Sequence, residues 1–130
     1  MSDKDIESEI QAKGLTAPRI TPQHIESVIV QEAYFTAEDG AFGVAIKADI
    51  PKETISAGHE SLSLLTFCVL VLNNGFTVTG ESACASPENF DPEIGRKIAR
   101  ENAVNKIWML EGYLLEAETE RAMKDEFDRF

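Results

Sequence analysis

The segment that most limits how this chain can fold is LLTFCVLVL-NNG-FTVTG. Leu64 to Leu72 is a nine-residue run rich in β-branched and aromatic side chains, too short for a buried helix and the right length for a strand covered on both faces. Asn73-Asn74-Gly75 supplies the positive φ angles of a tight turn, so Phe76 to Gly80 is expected to pair back antiparallel. With 130 residues the chain has room for one core and one sheet. Both faces of that sheet can be covered only by helices or by a second copy.

Helices are signalled on either side of the hairpin. Thr21-Pro22 reads as a helix start, with Thr as cap and Pro in the first turn, and Ile25, Val28 and Ile29 forming one apolar face that ends near Glu32. Phe90-Asp91-Pro92-Glu93 starts a second helix that reaches at least Glu111. This helix carries two apolar stripes, Ile94, Ile98, Val104 and Trp108 on one side and Ala99, Ala103, Ile107 and Leu110 on the other. One stripe docks on the sheet. The second is assigned to another subunit, which makes the chain a homo-oligomer.

The remaining segments are weaker signals. Tyr34-Phe35-Thr36 and Phe42 to Ile50 read as strands around the turn-forming Glu38-Asp39-Gly40, because Val44, Ile46 and Ala48 alternate with Ala45 and Lys47. Lys52 to Ser61 lacks periodicity and reads as a loop, and Glu81 to Asn89 as a turn-rich linker. The expected organisation is a flexible arm at 1–20, one α+β domain at 21–115 with an antiparallel sheet against a long C-terminal helix and an N-terminal helix, and an acidic tail at 116–130, helical or disordered.

Charge narrows the function classes. Twelve Lys and Arg face 23 Asp and Glu for a net charge of -11, spread along the whole chain. Long nucleic acids and anionic membranes both require a basic footprint, so neither is expected as a partner. No apolar stretch approaches membrane-spanning length and MSDKDIESEI has no secretory character, so a cytoplasmic protein is expected. Cys68 and Cys84 are then free thiols.

Catalytic and cofactor motifs do not emerge. His24 and His59 are 35 positions apart, neither cysteine lies in a metal-ligand spacing, and no glycine-rich phosphate loop is present. No metal, cofactor or enzymatic activity is expected. Arg96 and Arg100 stand one helical turn apart near a helix start, in line with the second stripe, where free amides also favour an anion. Arginine forks suit phosphate oxygens, and Asn89 and Phe90 just before the helix could hydrogen-bond and stack on a base. These four residues are the candidate ligand site, with a small anionic nucleotide as its ligand and a subunit interface as its place.

The run TFCVLVLNNGFTVTGESACASPENFDPEIGRKIARENAVNKIW followed by LEGYLL closely resembles a family of small tailed-phage and prophage accessory proteins, and EAYFTAEDG extends the likeness, which covers roughly residues 21–115. Its NGF, SPENFD and GRKIARENA elements are specific in combination. That family in turn is similar to the phage Thoeris anti-defence protein one, a sponge for cyclic ADP-ribose signals. The resemblance implies an antiparallel sheet flanked by helices, dimers or larger assemblies with pockets between subunits, and a signal that is held and not hydrolysed. Ala41 to Ser61 and the tail from Glu116 depart from the short core pattern. The alternative function is an acidic phage protein that binds and inhibits a host protein without a small ligand.

Overall fold

The computed structural model describes residues 2–15, 18–51 and 59–128. Its elements, in order, are α1 (Asp3–Ala12), α2 (Pro22–Val28), β1 (Ile29–Thr36), α3 (Ala37–Lys47), α4 (His59–Ser63), β2 (Leu65–Leu72), β3 (Thr77–Ala83), a 3-10 turn (Pro87–Asn89) and α5 (Pro92–Asp128). The chain is α+β, with a three-stranded antiparallel sheet in the order β1-β2-β3. It divides into two compact units, Val30–Val104 and the pair of segments Met1–Ile29 and Asn105–Phe130.

The hairpin organises the unit of residues 30–104. Gly75 has φ 88° and its amide donates to Leu72, whose own amide donates to Phe76, both at 2.8 Å. β3 then runs back in a register that sets Cys68 opposite Gly80 and Leu65 opposite Ala83, so it takes in the start of the expected linker. Thr66, Cys68, Leu70 and Leu72 are buried, whereas the alternate residues Leu65, Phe67, Val69 and Val71 are half-exposed. The expected cover on both faces is therefore complete on one face only.

The buried face meets the start of α5 at unusually short range. A Cβ on Gly80 would lie 2.1 Å from the carbonyl oxygen of Ala99 and 2.4 Å from the amide nitrogen of Ala103. Only small residues allow this approach. Ala99 and Ala103, expected at a subunit interface, are thus buried against their own sheet, while Ile94 and Ile98 of the other stripe are exposed.

Two local expectations are corrected. The helix after Thr21 stops at Val28 and β1 begins at Ile29, because the β-branched run Val28-Ile29-Val30 favours extended backbone. Of the segment expected as a second strand, Phe42 to Ile50, residues 42–47 belong to helix α3, which also takes in the expected turn Glu38-Asp39-Gly40. Thr36 Oγ1 accepts the Asp39 amide and the Asp39 carboxylate accepts the Thr36 amide, a capping box that nucleates a helix where side-chain alternation suggested a strand. Of the expected loop, residues 52–58 lie outside the described residues, and His59 begins α4.

In the other unit, Ser2 and Asp5 form a capping box at α1, and Thr21 caps α2 with Pro22 in its first turn. Glu7 is buried, accepts hydrogen bonds from Arg19 Nη1 and Nη2 at 2.5 Å and takes a further bond from Gln11. Ile25, Val28 and Ile107 are its buried apolar residues. α5 continues as helix through residues 116–128.

Candidate functional site

Within the unit of residues 30–104, a cavity of about 140 Å³ opens where β1 ends and both α3 and α5 begin. Tyr34, Phe35 and Thr36 contribute from β1, Asp39 from α3, Thr66 from β2, and Phe90, Pro92 and Arg96 from the start of α5. Three aromatic rings and a proline make half of the lining. A cavity of this size accepts one ring, since an engineered cavity of about 150 Å³ binds benzene.

Thr66 forms the buried polar point of this lining. It is 3% exposed, and its Oγ1 has no hydrogen-bond partner among the described residues. A buried hydroxyl left unpaired costs about 1–3 kcal/mol, which makes it a conspicuous feature in an otherwise apolar strand. Gly95 makes room for it. A Cβ there would come within 3.0 Å of Thr66 Oγ1 and 3.5 Å of the Phe90 ring, so the absent side chain lets both approach the helix.

The two candidate arginines occupy different settings, because Arg96 lines the cavity and Arg100 turns to its own sheet. Arg100 Nε donates to Glu32 Oε1 at 2.7 Å, and the same oxygen accepts the Tyr34 hydroxyl at 2.8 Å. The guanidinium holds the Glu32 carboxyl below its ordinary range, while burial and the neighbouring carboxylate push the Tyr34 phenol up. Cys68 is fully buried beside Tyr34, and burial raises its thiol. Phe90 is half-buried in the cavity wall, and Asn89 is exposed in the 3-10 turn just before it.

The start of α5 offers less to an anion than its sequence suggests. Pro92 has no amide hydrogen, and Asp91 Oδ1 already accepts the amides of Glu93 at 2.9 Å and Ile94 at 3.4 Å. Positive charge at the cavity therefore comes from Arg96. The carboxylate in the lining, Asp39, is engaged by the Thr36 amide.

Sequence reasoning missed Tyr34, Phe35, Thr36, Asp39, Thr66 and Pro92 as cavity residues. The one available signal was Thr66 itself, a hydroxyl interrupting a run of apolar residues. Among the described residues, no group of three or more His, Cys, Asp or Glu side chains could hold a metal, and no helix is long and apolar enough to cross a membrane.

Comparison with known families places this geometry in context. Residues 20–119 match the model of the phage protein family N4 Gp49/phage Sf6 gene 66. The chain belongs to that family. The match takes in the hairpin, the cavity residues and most of α5, and it agrees with the phage resemblance read from NGF, SPENFD and GRKIARENA. The family's description as a phage protein goes no further toward an anti-defence sponge. No curated protein and no solved structure matches the chain.

Proposed function

We propose that this member of the phage family is a binding protein that sequesters a small cyclic nucleotide signal of the cyclic ADP-ribose type and does not cleave it. The observation that carries the reading is the buried, unpartnered hydroxyl of Thr66 in an aromatic cavity with Arg96 in its lining. A cavity that admits one ring suits a base, with Thr66 hydrogen-bonding its edge and Phe90 against its face. The phosphate would then remain outside, facing Arg96. Asp39, the carboxylate of the lining, is engaged by the Thr36 amide, which supports a role in holding a ligand.

Thermal unfolding with cyclic ADP-ribose isomers and cyclic dinucleotides tests this. A ligand bound only by the native state at 100 times its Kd stabilises by about 2.7 kcal/mol, a shift of several degrees. Chromatography after denaturation should return the ligand intact. Absence of a shift with every probe up to millimolar concentration would remove the reading, and recovery of a cleaved product would replace retention by catalysis.

A second reading, inhibition of a host protein, is favoured by a separate feature. Tyr113, Met123 and Phe127 are all strongly exposed along the acidic second half of α5, as is Met109 just before it. Side chains of this kind are enriched in protein interfaces.

A further inference from the structure

We infer that a second cavity, enclosed by α1, the approach to α2 and α5, binds a small organic cation with an apolar body, an amine or a quaternary ammonium. This site is independent of the one proposed at Arg96. Its volume is about 350 Å³, inside the range of roughly 300–1,000 Å³ that ligand pockets occupy. All of its lining falls within the unit of residues 1–29 and 105–130.

The sequence builds the cavity from three short stretches. Asp3, Ile6, Glu7 and Ile10 follow the i, i+3, i+4, i+7 spacing that puts side chains on one face of α1. The bonds from Arg19 to Glu7 tie that face to the segment leading into α2, which adds Ile20 to the wall. Asn105 and Trp108 stand one turn apart on α5. The family match starts at residue 20, so α1 and half of the lining lie outside it.

The lining selects its ligand by shape and by charge. Three isoleucines and an indole offer a surface to an apolar body. Among the described residues, the lining also holds two carboxylates and no Lys, Arg or His. Arg19 satisfies Glu7 without being part of the lining, whereas the side chains of Asp3, Asn105 and Trp108 have no hydrogen bond or ion pair among the described residues. A cation in the cavity has the free Asp3 carboxylate and the Asn105 carbonyl as acceptors, and an indole ring in the same wall attracts it through the ring quadrupole. A carboxylate or phosphate would meet no basic group there. The net charge of -11 works in the same direction, drawing cations to the surface and repelling anions.

Trp108 is the chain's single tryptophan and is half-buried in this wall, so its fluorescence reads the cavity directly. Titration of the full chain with phenethylammonium and with benzyltrimethylammonium should give a saturable change in that fluorescence. Phenethyl alcohol and phenylacetate, a neutral and an anionic compound of similar size, should bind about tenfold more weakly or not at all. Asp3→Asn leaves the Ser2–Asp5 capping box in place, so it should keep the unfolding temperature while weakening the cation by about fivefold. Arg96→Ala should leave the cation affinity unchanged. No saturable change with either cation up to millimolar concentration overturns the assignment, and so does equal affinity for the alcohol or full affinity in Asp3→Asn. Cation binding that disappears in Arg96→Ala overturns it as well, because the ligand would then sit in the other cavity.

Discussion

Gly80 and Ala99 are in such close apposition that a Cβ on the glycine would sit 2.1 Å from the alanine carbonyl oxygen, so strand β3 and helix α5 are held at backbone contact. Gly80→Ala must push the helix off the sheet. Overpacking ordinarily costs about 1–3 kcal/mol, and a clash with rigid backbone belongs at or above the upper end. At about 3 kcal/mol, the melting temperature should fall by roughly 10–20 °C. Gly40→Ala is the control: it meets nothing within 4 Å inside α3 and should be neutral or stabilising by about 0.5–1 kcal/mol.

Thr66→Val should have opposite effects on stability and binding. Replacing an unpaired buried hydroxyl by a methyl of similar shape removes a desolvation cost and is expected to raise stability by about 0.5–1 kcal/mol. The same change deletes the polar contact proposed for the ligand, so the thermal shift given by a nucleotide should shrink. Calorimetric unfolding with and without ligand reads both quantities, and a loss of stability in the free protein would mean that the hydroxyl has a structural partner.

Arg96→Ala and Arg100→Ala should part company. Arg96 lines the cavity, so its loss should weaken a bound phosphate on the order of tenfold to a hundredfold with little change in stability. Arg100 partners Glu32, so its loss should lower stability. Titration calorimetry on both variants, with mass measured in parallel, distinguishes these outcomes from a common role.

The Glu32–Arg100 pair also sets an acid dependence. The folded-state carboxyl of Glu32 is depressed below 4.5, so its contribution is present above that pH and is lost as pH falls through the lowered value. Because Glu32 and Arg100 are partly solvent-exposed, the contribution is small, about 0–1 kcal/mol. Glu32→Gln should therefore flatten the acid limb of the stability curve below the ordinary carboxylate range, as measured by urea unfolding at each pH. An unchanged limb would show that other carboxylates govern it.

Native thiol labelling should distinguish the two cysteines. Cys68 is fully buried with a raised pKa, whereas Cys84 is half-buried in a loop, its Sγ 3.2 Å from the Ser86 carbonyl. Cys84 should react within minutes, and Cys68 only at the rate of local or global opening. Equal rates would place β2 in a different environment.

Features decided by neighbours in the chain were legible from the residues alone. Asn73-Asn74-Gly75 between two β-rich runs specified the hairpin, and Thr21-Pro22 and Asp91-Pro92 marked two helix starts, because turns and caps are satisfied within a few residues. The capping box of Thr36 and Asp39 was equally local, yet the alternation of Val44, Ile46 and Ala48 obscured it. The orientation of α5 lay beyond such reading. Both of its stripes are apolar, and what selects Ala99 and Ala103 for the sheet is the missing side chain of Gly80, brought opposite by β3. The same holds for the site: Arg96 and Arg100 look alike on a helical wheel, and only folding puts Glu32 of a distant strand against one and leaves the other beside the unpaired hydroxyl of Thr66. Ion pairs and cavities of this kind are fixed by long-range packing, which is why they were decided by the tertiary structure.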